Sequence, residues 1–90
     1  MNRVEILDEA RKQVTGQRER DYGKPESNFD LIARLWSVYI NKALSGHDVA
    51  MMMALLKIAR IRNGGGSGDS YTDLAGYAAC AGEIAGEVKE

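Results

Sequence analysis

Ninety residues with 44% hydrophobic and 28% charged side chains have the composition of an ordinary globular domain, which excludes a disordered, fibrous or low-complexity chain. Twelve basic against thirteen acidic residues leave a formal net charge of -1, so no global field draws the chain onto extended nucleic acid or an anionic membrane. Cys80 is alone, which excludes an internal disulfide, and no apolar run reaches membrane-spanning length.

From the N-terminus, Val4, Ile6, Leu7, Ala10 and Val14 recur at helical spacing up to Gly16 and predict a first amphipathic helix over about 3–15. Glu5, Asp8 and Glu9 lie inside that periodicity, which is incompatible with a secretory signal, so a reducing, cytoplasmic setting is expected. Residues 17–24 lack periodicity and are dense in Arg, Asp and Tyr, the pattern of a polar loop.

Pro25 suits the first turn of a second helix, and Phe29, Ile32, Ala33, Trp36, Ile40 and Ala43 mark its apolar face to about residue 44. Ser45 followed by Asp48 has the spacing of a capping box, with Asp in place of the usual Glu. It predicts a third helix over 46–63 whose apolar positions are Val49, Met52, Met53, Leu56 and Ala59. Residues 64–68, GGGSG, form a flexible connector.

Asp69 or Ser70 then caps a last helix over about 70–88. That helix is rich in small residues, among them Ala75, Gly76, Ala78, Ala79, Gly82, Ala85 and Gly86. Glycine costs up to ~1 kcal/mol relative to alanine inside a helix, and close helix approach, within the chain or in a homo-oligomer, is the expected compensation. The predicted fold is all-α: about four helices in a compact bundle, one domain over 1–90, assembled as a homo-oligomer.

Three clusters carry candidate chemistry. Arg18, Tyr22, Lys24 and Asn28 can form an anion pocket, because guanidinium and ammonium groups pair with phosphate oxygens and Gly23 permits close backbone approach. The same residues read equally as a solvated loop in which Tyr22 enters the core and the arginines pair with Glu19 and Asp21. Lys57 and Arg60, about one helical turn apart, can reach a shared phosphate, or can cover apolar surface and pair with acids of the next helix. Asp69 and Asp73, i and i+4 on the last helix, can share a hard cation such as magnesium, or divide into a helix cap and a partner for Lys57 or Arg60. Tyr77 is a stacking platform or a core aromatic, Trp36 and Met51 to Met53 read as packing, and His47 has no second histidine to make a metal site or triad.

The blocks RERDYGKPESNFDLIARLW, DVAMMMALLKIARI and DSYTDLAGYAACAGE, in this order, resemble a small phage and prophage domain family of unassigned function, over roughly Gln17 to Glu83. More distantly, Asp73-Leu74-Ala75-Gly76-Tyr77 is similar to the aspartate-led helix of MazG-like all-α nucleoside triphosphate pyrophosphohydrolases, and to a nucleotide-modification-associated phage domain with a YG loop. The MazG-like resemblance implies magnesium chemistry, with Asp73 as the last metal ligand. The chain departs from that pattern: Ser70 stands three residues before Asp73, and neither middle helix contains ExxE.

The expected function is therefore a noncatalytic phage binding protein for a nucleotide-like or other phosphate-bearing ligand, held by Arg18, Tyr22, Lys24, Asn28, Lys57, Arg60 and Tyr77. Two alternatives stand beside it. One is a degenerate magnesium-dependent pyrophosphohydrolase using Asp69 and Asp73; the other is a module that binds a host protein through the small-residue helix or the Met/Trp surface.

Overall fold

A computed structural model describes residues 1–16, 25–64 and 68–89. The chain is all-helical: α1 (Arg3–Thr15), α2 (Pro25–Ile40), α3 (Gly46–Arg62) and α4 (Gly68–Lys89), with no strand among the described residues. The α3–α4 pair forms the most extensive contact; α1 lies against α4, α2 lies against α3, and α2 meets α4 only slightly.

Local chemistry sets the helix starts. The Asn2 side chain accepts from the Glu5 backbone N–H at 2.9 Å while the Glu5 carboxylate accepts from the Asn2 N–H at 3.1 Å, closing a capping box on α1. Ser45 and Asp48 close the second one, on α3, as their spacing predicts. The Ser45 hydroxyl accepts from the Asp48 N–H at 3.1 Å, and the Asp48 carboxylate accepts from the Ser45 N–H at 2.9 Å. Gly46, at the first turn of α3, is buried against α2: a Cβ there would sit 3.0 Å from Asp30 Oδ1.

Two boundaries differ from the sequence reading. The second helix ends at Ile40, not near residue 44, because Asn41 turns into the left-handed region (φ 56°), a conformation Asn tolerates better than most residues. The Ser37 hydroxyl then donates to the Ala33 carbonyl at 2.6 Å and accepts from the Leu44 N–H at 2.9 Å. This folds 41–45 back and packs Leu44 onto the core. The last helix starts earlier, at Gly68, so Asp69 and Ser70 lie inside its first turn, with Asp69 exposed and Ser70 buried.

The core is thin. Phe29 and Ala33 of α2, Val49 and Ala50 of α3, and Cys80 and Ala81 of α4 form its centre. Val14, Ile32, Trp36, Met53, Tyr77 and Ile84 pack around it, half-buried. Several positions assigned to apolar core faces from periodicity instead face water: Val4 and Leu7 of α1, Ile40 of α2, Ala43 beyond it, and Met52, Leu56 and Ala59 of α3. Among the described residues α1 makes its main contact with α4 and no further helix lies over α2 and α3, so these helices meet neighbours along narrow strips.

Candidate functional site

The candidate anion and metal residues are divided by the structure. Arg18, Tyr22 and Lys24 lie outside the described residues, as do residues Gly65 to Ser67 of the connector. Asn28 is half-buried near the start of α2. On the facing sides of α3 and α4, Lys57 Nζ meets Asp73 Oδ2 at 2.9 Å, with the lysine side chain 13% and the aspartate 29% exposed. This is one of the two pairings that the sequence offered for Asp73. It links α3 to α4 with a charge-assisted bond partly shielded from water.

Arg60 is exposed on α3 rather than joined to that pair. Tyr77 packs into the core edge, its ring centroid 6.0 Å from that of Phe29 at an interplanar angle of 49°, a tilted arrangement that aromatic quadrupoles favour. Asp69 and Glu83 are exposed on α4, and no group of three or more His, Cys, Asp or Glu side chains among the described residues is placed to hold a metal ion. His47 is half-buried beside the α3 capping box.

The largest unassigned feature lies on α2. Leu31, Leu35, Val38 and Tyr39 recur at i, i+4, i+7 and i+8, an arc of about 100° roughly opposite Phe29, Ala33 and Trp36. They are 54%, 61%, 82% and 91% exposed. Among the described residues, nothing covers this second apolar face of α2. A second ridge, Met51, Leu55 and Ile58 at i, i+4 and i+7, lies on the outer side of α3 and is between 46% and 63% exposed. The α2 spacing is legible in the sequence. Its signal is masked because the Phe29–Trp36 stripe accounts for the helix by itself.

The sequence profile of a family described as "Domain of unknown function (DUF6378)" matches residues 5–85. This chain belongs to that family. Two curated relatives come from mycobacteriophages: the "Gene 55 protein" of Mycobacterium phage D29, 49% identical over 75 residues, and that of Mycobacterium phage L5, 43% identical over 76. Each alignment covers 83% of this chain but 50% and 49% of the respective relative, so the chain spans about half the length of the proteins it matches. No solved structure matches. The DUF6378 unit is therefore a phage-protein domain that occurs within longer chains, and among its described residues here no helix is long and apolar enough to cross a membrane.

Proposed function

We propose that this DUF6378 chain is a noncatalytic helical interaction module of a phage protein, and that what it binds is protein. The observation that carries this reading is the outward ridge Leu31, Leu35, Val38 and Tyr39, which leaves α2 apolar on both sides. Contiguous exposed apolar surface of this kind is a mark of interaction sites, protein interfaces among them.

The phosphate-ligand reading has less support, since a bound anion would have to compete with Asp73 for Lys57, and Arg60 stands apart from that pair. A magnesium-dependent hydrolase has the converse difficulty: Asp73 would have to release Lys57 to become a metal ligand. The test places a photo-crosslinking side chain at Val38, with Glu83 on the exposed part of α4 as the control position, in the phage protein expressed in its host. Protein crosslinks at position 38 well above those at position 83 are expected. Equal yields at the two positions would reject the reading.

A further inference from the structure

We infer that α1 is a displaceable strap on α4: it lifts off as one unit while α2, α3 and α4 stay folded, and so uncovers a stripe of small residues along α4. The first argument is placement. A Cβ at Gly68 would lie 2.9 Å from Met1 Sδ, and a Cβ at Gly76 would lie 3.2 Å from Val14 Cγ1. The two ends of α1 therefore rest on two α4 positions, and Thr72 stands midway between them on the same stripe, at i, i+4 and i+8. The Thr72 side chain is sealed, at 1% exposure, and Ala10, one turn before Val14, is the buried residue of α1.

The second argument is the bonding of that contact. The Thr72 hydroxyl has no hydrogen-bond partner, although a buried hydroxyl ordinarily has one. The closed state bears the cost of taking it out of water, and with α1 lifted water reaches it and relieves that cost. No hydrogen bond or ion pair among the described residues joins α1 to another helix, so nothing polar opposes the opening. The bonds at the ends of α1, the Asn2–Glu5 capping box and the Gly16 N–H on the Lys12 carbonyl, lie within it and survive the lift. The third argument is the apolar hold. Around Ala10 only Ile6 and Val14 are half-buried apolar residues, beside polar Glu9 and Gln13, while Val4 and Leu7 are 61% and 62% exposed. The buried centre of Phe29, Ala33, Val49, Ala50, Cys80 and Ala81 takes no residue from α1, so α2, α3 and α4 keep it when α1 departs.

Native-state hydrogen exchange on the 90-residue chain tests this, because a lone helix of thirteen residues is marginal in water and an opened α1 loses its amide protection. Amides of 6–14 should exchange at least about tenfold faster than those of 49–54 in α3, at rates that hardly change in dilute urea, the mark of a local opening. Thr72→Val keeps the side-chain shape and removes the unpaired hydroxyl, and it should slow exchange in 6–14 at least about fivefold. Gly82→Ala, which strengthens α4 in the closed and opened states alike, should slow 49–54 about two- to fivefold and leave 6–14 unchanged. A common exchange rate for α1 and α3 overturns the inference, as does a Gly82→Ala that slows both segments equally. A Thr72→Val that leaves or speeds exchange in 6–14 overturns it as well, since the hydroxyl is then bonded in the closed state. If Thr72→Val fails to fold, the urea dependence of 6–14 and the Gly82→Ala comparison, both with Thr72 in place, decide.

Discussion

At the residue scale, the two best-defined electrostatic features are Asp48 and the Lys57–Asp73 pair. Hydrogen bonds from the Ser45 backbone N–H, and secondarily from its hydroxyl, hold the Asp48 carboxyl below its ordinary value of 3.8, against a small desolvation effect in the opposite sense. A carboxylate depressed in the folded state contributes stability that is present above its unfolded pKa and is lost as pH falls through the folded one. The α3 cap should therefore weaken only below about pH 4. Because Asp48 is exposed, Asp48→Asn should cost less than ~1 kcal/mol at pH 7 and flatten the acid-side decline, read from urea midpoints across pH 2.5–7.

The Lys57–Asp73 bond is better shielded, and its partners depend on each other unequally. Asp73→Ala strands a lysine that is only 13% exposed, and a loss of about 1–3 kcal/mol is expected. Replacing both by apolar residues of similar size, Lys57→Met with Asp73→Leu, should cost less than Asp73→Ala alone. Urea unfolding of the three variants tests this, and equal losses for the single and double variants would count against a paired role.

At the element scale, α4 shows which helical glycines have a structural reason. A Cβ at Gly76 would lie 3.2 Å from Val14 Cγ1, so this glycine lets α1 approach α4 closely. A Cβ at Gly82 or Gly86 would meet nothing within 4 Å. Gly82→Ala should then raise stability by about 0.5–1 kcal/mol through helix propensity alone, whereas at Gly76 the same gain is offset by crowding against Val14. Thermal unfolding of the two alanine variants should separate them, with Gly82→Ala melting higher than Gly76→Ala.

The same helices show how far their boundaries were legible. Ser45 and Asp48 announced the start of α3 because a capping box is a local pattern with a fixed spacing. The end of α2 was not announced: Ala43 and Leu44 extend its apolar period, and only the left-handed turn at Asn41 and the Ser37 bridge to Leu44 stop it. On α1, periodicity marked Val4 and Leu7 for a core they do not reach, since α1 meets the bundle through a strip around Ala10 and Val14.

At the scale of the whole molecule, the hydrophobic centre among the described residues holds Phe29, Val49 and Cys80 beside alanines, while fourteen large hydrophobic side chains remain exposed there. A domain of this size has little stability to spare. Phe29→Ala, which empties the largest buried side chain of this centre, should cost about 3–5 kcal/mol, read from urea midpoints.

The sequence alone determined the all-helical class, the four segments and the α3 cap, since these depend on periodicity and on bonds between residues a few positions apart. It also carried both apolar stripes of α2, but not which one the chain itself would cover. Tertiary structure decided that Phe29, Ala33 and Trp36 turn inward and Leu31, Leu35, Val38 and Tyr39 do not, because an apolar stripe acquires a side only when another helix is set against it. The same holds for charge. Lys57 and Arg60 were interchangeable partners for Asp73 until the packing of α3 on α4 brought Lys57 and Asp73 together and left Arg60 in water.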